Sequence, residues 1–216
     1  MALEQIPSDG VAATERHARI IDAAERCFAR AGFYRTTMQD VAAEAGMSPG
    51  NLYRYFPSKD AIVVGLVERD RARMAADFAA TETADDIMTA FRELGRKHFA
   101  DEPRSKAILC LDIWAEATRN PIIARLTMDL QREIVDRLAS VVAMAQARGA
   151  AASDIDCVAA AAMIATLGNG LFVRRAISPD FDAERDVGHA LAMIGALLRG
   201  GVAANSKTQQ DAETSS

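Results

Sequence analysis

The stretch TMQDVAAEAGMSPGNLYRYFPSK, residues 37–59, predicts two short helices separated by a tight turn. Thr37 is followed three residues later by Asp40, which is the spacing of a capping box at a helix N-terminus. Gly46 then ends the first helix, because glycine is favoured where the backbone leaves a helix. The Ser-Pro pair at 48–49 combines a good N-cap with a proline at the first helical position, where its missing N–H costs nothing. The pattern therefore predicts a helix-turn-helix.

The residues around this stretch extend the prediction to a three-helix unit. Upstream, apolar residues recur at spacings of three and four, at Ile20, Ala24, Cys27, Phe28 and Ala31. This spacing places them on one helical face. Gly32 ends that first helix and Pro57 ends the third. We therefore predict a helical domain at residues 14–60, with its second and third helices at about 37–56, preceded by a flexible arm at 1–13.

The remainder of the chain also predicts helices. Prolines and capping residues divide it into segments, at Pro103, Pro121, Ser153 and Asp182. No segment shows the alternation with β-branched residues that marks strands, and glycine and proline are scarce, with 13 and 6 in 216 residues. The predicted fold is therefore all-α. A larger helical bundle domain occupies residues 61–200, and a disordered tail follows at 201–216.

Composition and charge exclude several classes of protein. The net charge of −5, with seven basic and eight acidic residues in 1–60, argues against coating of nucleic acid without sequence preference. The longest apolar run, 157–167, is too short to span a bilayer, and no signal peptide is evident. The three cysteines are far apart and form no CxxC pair, so we expect a reducing, cytoplasmic location.

The second short helix is the candidate DNA reader. A recognition helix presents its N-terminal residues to base edges, so that small or polar residues are needed there. The predicted base-facing residues are Ser48, Pro49, Gly50 and Asn51. Tyr53 and Tyr55 can offer hydroxyls to phosphates, and Lys59 adds a positive charge at the start of the next helix.

Residues 19–61, RIIDAAERCFARAGFYRTTMQDVAAEAGMSPGNLYRYFPSKDA, resemble the DNA-binding domain of TetR-family transcriptional regulators. The resemblance rests on the alanine pair at 23–24, on Val41-Ala42 and Ala45-Gly46, on the Tyr53-x-Tyr55-Phe56 run and on further single residues, Phe28, Gly32, Thr37 and Lys59. The larger domain resembles the family more weakly, with a BetI-like stretch at 170–182.

The resemblance implies a homodimeric repressor without a cofactor. Each subunit would place a reading helix on a palindromic double-stranded DNA operator, and a small-molecule effector in the larger domain would release it. By the same analogy Thr37 would hold a phosphate, Ser48 to Asn51 would face bases, and Tyr53, Tyr55 and Lys59 would anchor the DNA backbone. Two reading helices of such a dimer are expected about 34–36 Å apart, and a swing of the helix that begins at Lys59 would change that spacing.

Two further groups of residues are candidates in the larger domain. An effector pocket is expected to be mostly apolar, and its candidate residues are Phe91, Phe99, Leu109, Cys110, Trp114, Met128, Met163 and Phe172. Each of them can equally be plain core. Small and aliphatic residues on the last two helices form a candidate dimer interface, at Ala161, Gly168, Val187, Leu191, Ile194 and Leu198.

Two other readings of the chain remain open at this point. The near-neutral first 60 residues would also suit a helical protein-interaction module without DNA binding. A helical enzyme is the other alternative, although no nucleophile and base in a known order, nucleotide loop or paired carboxylates are evident. His17, His98 and His189 have no carboxylate or cysteine at metal-ligand spacing, so we predict no metal site.

Overall fold

The computed structural model describes residues 8–82 and 86–200, and within these ranges the chain is all-α, as predicted. Nine α-helices follow one another in the described residues: α1 Ser8–Ala31, α2 Met38–Glu44, α3 Pro49–Tyr55, α4 Lys59–Glu82, α5 Ile87–Arg96, α6 Arg104–Ala117, α7 Pro121–Ala147, α8 Cys157–Ile177 and α9 Ala183–Leu198. A π-helical turn, Lys97–Asp101, lies directly after α5.

Helix α1 begins at Ser8, six residues before the predicted start at Thr14. Residues 13–19 are all exposed, so this part of the helix has no buried face that a sequence pattern could reveal. Extending an existing helix requires only one new hydrogen bond per residue, which explains why α1 continues beyond its buried portion. Residues 1–7 and 201–216, where we predict an arm and a disordered tail, lie outside the described residues.

The described chain forms two compact units, and their boundary differs from the one we predict at residue 60. The first unit contains the chain up to Arg71 together with Ile108–Thr127. The second contains Ala72–Ala107 and the chain from Met128 onward. The segment 108–127 therefore belongs with the helix-turn-helix, although the sequence places it in the larger domain. Helices α4, α6 and α7 each contribute residues to both units.

The core of the first unit forms where α1 packs on the helix-turn-helix and on the start of α4. Its largest fully buried side chains include Phe28 and Ile20 of α1, Leu52 of α3 and Ile62 of α4. Gly65 allows α4 to approach this core closely, since a Cβ atom built there would lie 2.6 Å from the Ile21 side chain. Close packing therefore fixes the helix-turn-helix on α1.

The core of the second unit is formed mainly by α5, α7, α8 and α9, with Phe78 of α4. Its α8 begins after Asp156, whose carboxylate accepts hydrogen bonds from the N–H groups of Val158 and Ala159 at 2.9 and 3.1 Å. The sequence predicts Ser153 as the N-cap of this helix. Asp156 is the N-cap instead, three residues later, and serine and aspartate are both good N-caps. Among the described helices, α8 is the one whose length and composition would by themselves allow it to cross a membrane.

Candidate nucleic-acid interface

Helix α2 is fixed at its start by the predicted capping box. The Thr37 hydroxyl accepts a hydrogen bond from the Asp40 N–H at 3.2 Å, and the Asp40 carboxylate accepts one from the Thr37 N–H at 2.8 Å. The Thr37 O–H also donates to that carboxylate at 2.7 Å. These bonds hold the pKa of Asp40 below its ordinary value, and the bond from the Thr37 backbone N–H has the largest effect. The cap fixes where the helix-turn-helix begins.

The turn between α2 and α3 depends on a left-handed residue. Gly46 has φ +66°, a backbone conformation that side chains other than glycine rarely adopt. The next N–H, of Met47, donates to the carbonyl of Ala42 at 2.9 Å and so closes the end of α2. Ser48 then caps α3, its hydroxyl accepting from the Asn51 N–H at 3.3 Å, and Pro49 is the first helical residue.

Helix α3 is held by one inward residue and presents the others outward. Leu52 is its buried residue. At 100° per residue, Gly50 and Arg54 lie 160° and 200° around the helix from Leu52, so they point most directly away from the core. The predicted base-facing residues Ser48, Pro49 and Gly50 are exposed, and Asn51 is half-buried. The predicted reading surface is therefore open along the outer side of α3.

The three residues predicted here to contact phosphates differ in exposure and in their hydrogen-bond partners. Tyr53 is exposed. Tyr55 is half-buried, and its hydroxyl accepts a hydrogen bond from Arg16 at 3.4 Å. This bond raises the pKa of Arg16 above its ordinary value. Lys59 donates its ammonium to the carbonyl of Phe33 at 2.8 Å and lies 4.4 Å from the centre of that ring. Lys59 therefore has a structural role that the sequence did not reveal.

Two arginines that the sequence analysis missed lie beside this surface. Arg54 is on the outermost line of α3, and Arg35 directly precedes the Thr36-Thr37 pair. Both are exposed, and neither forms an ion pair with any residue in 8–82 or 86–200. The signal that could have found Arg54 is its spacing of four residues from Gly50, which places both on one face.

The eight candidate pocket residues are divided between the two units. Leu109, Cys110 and Trp114 belong to the first unit, whereas the other five belong to the second. Phe99 and Phe172 of the second unit pack with their ring centres 4.8 Å apart and their planes tilted by 57°, and Phe91 is buried in the same core. Met128 and Met163 are exposed at the surface of the second unit, and their place in a pocket stays a prediction. Apolar character alone does not show which side of a helix faces inward.

Most of the candidate dimer residues are buried in the core of the second unit, and their place in an interface stays a prediction. The buried ones are Ala161, Val187, Leu191, Ile194 and Leu198. Gly168 is half-buried, and nothing in the described chain lies within 4 Å of a Cβ atom built on it. Ala161 and Gly168 lie on α8, whose first four turns are mostly apolar or small on every side, so the sequence does not distinguish the face packed in the core from the face left open.

A three-helix unit whose capped third helix exposes small, polar and cationic residues defines a helix-turn-helix DNA-binding regulator. The sequence model of the tetR family of bacterial regulatory proteins matches residues 20–66. The model of the C-terminal domain of BetI-type transcriptional repressors matches residues 88–199, which is more than half of the chain. The chain therefore belongs to the TetR family of transcriptional regulators, with a BetI-type C-terminal domain.

Individual relatives agree with this membership along most of the chain. The HTH-type transcriptional regulator UidR of Escherichia coli (strain K12) is 27% identical over 190 residues, covering 83% of this chain and 91% of UidR. BetI of Burkholderia cenocepacia (strain HI2424) is 27% identical over 175 residues, covering 76% and 83%. The solved structure of Salmonella enterica GusR is also 27% identical and superposes with a TM-score of 0.73, covering 85% of this chain and 95% of GusR.

Proposed function

We propose that the protein is a cytoplasmic repressor that binds an inverted-repeat operator as a homodimer and is released by a small-molecule effector. The observation that carries the proposal is the outer side of α3, where Gly50 and Arg54 point away from the core and Ser48 and Pro49 are exposed. The N-cap at Thr37 fixes the start of α2, and the buried Leu52 anchors α3 in the core. No catalytic step is part of this function.

We assign the DNA contacts by the exposure and charge of each residue. Gly50 allows the backbone to approach the bases, and Asn51 can form a bidentate contact with adenine. Tyr53, Arg54 and Arg35 are exposed and suit phosphates, as does Thr37 at the start of α2. Tyr55 and Lys59 already have partners, although an ammonium group retains further N–H donors for a phosphate beyond the one given to Phe33.

The first experiment selects bound double-stranded DNA from a random pool and measures affinity for the selected sequence. We expect an inverted repeat. Arg54→Ala should then weaken binding and reduce the dependence of log K on log salt by about one unit, because one phosphate contact is lost. Arg132→Ala is the matched control, since Arg132 is also an exposed helical arginine and lies in the second unit. A pool that yields no preferred sequence at low salt would overturn the proposal.

The dimer interface is better assigned to the exposed faces of α8 and α9. Val158, Val173 and Ile177 of α8 and Met193 of α9 are large apolar side chains at the surface. Cβ atoms built on Gly170 of α8 and on Gly188 of α9 would meet nothing in the described chain within 4 Å. Glycine in a helix interior costs about 1 kcal/mol relative to alanine. A second copy packed closely against these faces would explain both features.

Light scattering after gel filtration tests this interface. Ala192 is exposed on α9 within the proposed interface, and Ala143 is exposed on α7 outside it. Ala192→Glu should shift the protein toward the monomer, because a carboxylate would be buried without a partner. Ala143→Glu should leave the molecular mass unchanged. A wild-type protein that is monomeric at micromolar concentration would contradict the proposed dimer.

The effector is proposed to bind in the second unit, near the Phe99–Phe172 ring pair and Phe91. Proteins of similar fold have been solved in complex with choline, triclosan and stearoyl-CoA. These three compounds are therefore the first probes, and release of the selected operator is the measurement. Only a ligand that prefers the conformation of low DNA affinity can release it, so binding alone is not sufficient.

A further inference from the structure

The second unit buries a cationic side chain, that of Arg175 in the last turn of α8. Arg175 is 8% exposed, and it is the one lysine or arginine that is buried in residues 8–82 and 86–200. Its neighbour Arg174 is exposed and forms an ion pair with Asp186 at 3.5 Å. Arg175 itself forms no ion pair with any described residue. Because a buried charge without a countercharge is costly, this side chain is an unusual feature of the core.

The position of Arg175 at a helix end does not account for its burial. Cations stabilise the C-terminus of a helix, and Arg104 already does so here. Arg104 donates hydrogen bonds to the carbonyls of Arg175 and Ala176 at 3.1 and 2.7 Å. The Arg175 guanidinium reaches away from α8 and donates from Nη2 to the carbonyl of Glu102, the residue that follows the π-helical turn. Its charge is therefore not needed to cap α8.

The Arg175 guanidinium retains hydrogen-bond donors that no described residue accepts. A guanidinium has five N–H donors, and of its three nitrogens only Nη2 is bonded within the described chain. Nε and Nη1 are not among the nitrogens that are both unbonded and closed off from solvent, so they border accessible space. Burial lowers the pKa of Arg175, and the nearby charge of Glu102 opposes this effect only in part.

Aromatic rings lie beside this guanidinium. Its Cζ atom lies 5.8 Å from the centre of the Phe181 ring. Phe172 precedes Arg175 by three residues, and Phe99 precedes Glu102 by three residues. The Phe99–Phe172 ring pair therefore lies about one helical turn from the bond between Arg175 and Glu102. Phe172 and Phe181 are half-buried. A cation with donors to spare thus adjoins a partly open apolar surface.

We propose that Arg175 is the anion-binding subsite of the effector pocket and that the effector is a singly charged carboxylate with an apolar body. A guanidinium binds a carboxylate through two parallel N–H groups, and Glu102 leaves enough of them. The apolar body lies against Phe172 and Phe181. One buried cation near the charge of Glu102 suits a single negative charge better than the two of a phosphate. This inference rests on the proposed function, because it names the class of effector for the pocket proposed there.

Ligands that share an apolar body and differ in charge measure this preference. Phenylacetate, phenylacetamide and phenethylamine form a series with one ring, and octanoate, octanamide and octylamine form a series with a linear chain. Calorimetric titration of the full-length protein without DNA gives each affinity. We expect the better-fitting carboxylate to bind about 10- to 150-fold more tightly than its amide, the usual contribution of a hydrogen bond to a charged group. The amine should bind more weakly than either.

Variants at Arg175 distinguish ligand binding from structural support. Arg175→Gln removes the charge but keeps N–H donors for the Glu102 carbonyl, and the carboxylate and the amide should then bind equally. A purely structural role would lower both affinities and leave their ratio unchanged. Arg175→Lys restores the charge without the planar fork and should recover part of the preference. Arg174→Gln, at the adjacent exposed arginine, is the matched control and should keep the wild-type ratio.

Failure of this inference and failure of the proposed function give different results. Wild-type protein that binds neither carboxylate more tightly than its amide overturns the anion subsite, even if Arg175→Gln does not fold. A preference that persists in Arg175→Gln overturns its assignment to Arg175. Inorganic phosphate that displaces the carboxylate at equal concentration overturns the choice of a singly charged ligand.

Operator binding is measured separately on the selected DNA. Carboxylates should lower operator affinity more than their amides do in wild-type protein and equally in Arg175→Gln. A carboxylate that binds through Arg175 but leaves operator affinity unchanged overturns its role as the effector. Wild-type protein that shows the carboxylate preference but binds no inverted repeat refutes the repressor function, and the anion subsite is then still supported.

Discussion

The helix-turn-helix and the α8–α9 pair are stabilised in different ways. Helices α2 and α3 have seven residues each, and α3 buries a single side chain, that of Leu52. Their positions depend on caps, on a left-handed glycine and on contacts with α1. Helices α8 and α9 are 21 and 16 residues long and belong to a large apolar core. The reading head therefore depends on a few specific contacts, whereas the α8–α9 pair is supported by many interchangeable ones.

The largest expected difference between the two regions comes from truncating one leucine in each. Leu52→Ala should destabilise the protein by about 2–5 kcal/mol, the usual cost of a cavity at a buried leucine, and should abolish operator binding because α3 has no other buried residue. Leu138→Ala in the second unit removes an equally buried side chain. We expect a similar loss in urea unfolding but measurable operator binding. Equal DNA affinity of the two variants would show that operator binding does not depend on the packing of α3 more than on that of the second unit.

A smaller effect is expected where a glycine allows close helix packing in each unit. A Cβ atom on Gly95 would lie 2.6 Å from Cγ1 of Val187, and one on Gly65 would lie 2.6 Å from Cδ1 of Ile21. Overpacking costs about 1–3 kcal/mol, and the better helix propensity of alanine returns about 1 kcal/mol. Because valine is stiff at χ1 and an isoleucine end can rotate, Gly95→Ala should be the more destabilising in urea unfolding.

A reversed order of these two variants would show that the core of the first unit is the tighter one. Operator affinity provides the second measurement. Gly65→Ala should lower it, because the shift of Ile21 and of the Phe56 ring, 3.2 Å from the new Cβ atom, is felt directly beside α3. Gly95→Ala should leave it nearly unchanged once the protein is folded.

The comparison also explains which parts of the fold could be predicted from the sequence. Thr37 with Asp40, Gly46 and the Ser48-Pro49 pair are local signals, and the structure places helix ends at each of them. Local signals are readable because the residues that make them are neighbours in the chain. The contact of Asp112 with Phe33 joins residues 79 positions apart, and nothing in the sequence indicates it.

The α8–α9 pair was less predictable because its pattern is ambiguous. Apolar and small residues surround most of α8, so the sequence placed Ala161 in an interface, whereas its side chain is buried in the core of the second unit. The role of Lys59 was also hidden, because a lysine at a helix start can bind a phosphate or a carbonyl equally well. Periodicity indicates that a helix has an inner face only when the other face is polar.

The N-cap of α2 should lose part of its stabilising effect at acid pH. Thr37→Ala should cost about 1 kcal/mol of stability at neutral pH, the usual value for an N-cap. The pKa of Asp40 is lowered in the folded protein by its bonds to Thr37, so its stabilising effect is fully present above its unfolded pKa of about 3.9 and is lost as the pH falls through the folded value. Thermal midpoints of wild type and Asp40→Asn should therefore converge below about pH 4.

The same titration can be followed in the second unit. Asp86 caps α5, and its pKa is also lowered, chiefly by the hydrogen bond from Thr89. Asp86→Asn should behave like Asp40→Asn in thermal unfolding. Operator affinity at neutral pH should stay constant for the Asp86 variant, because Asp86 lies in the second unit. If the thermal midpoints of wild type and of either variant did not converge at acid pH, each carboxylate would have the same pKa in the folded and the unfolded chain.

The smallest expected effect on stability comes from Glu44→Gln on α2. Glu44 accepts hydrogen bonds from Arg26 at 2.8 Å and from Arg30 at 3.3 Å, and the pKa of Glu44 is lowered mainly by Arg26. Both arginines are largely exposed, and such pairs contribute little because water and salt screen them. The thermal midpoint should therefore fall only slightly. DNA affinity should rise, because one negative charge is removed from the reading head and two guanidinium groups are released for phosphates.

Opposite signs for stability and affinity are what make this last variant informative. Glu133→Gln on α7 removes the same charge from an ion pair with Arg137 at 3.0 Å in the second unit. It should lower the thermal midpoint to a similar extent without raising DNA affinity. The gain for Glu44→Gln should also vanish at 1 M salt, where screening acts over about 3 Å. A gain of equal size for both variants would mean that overall charge, and not the position of α2, controls binding.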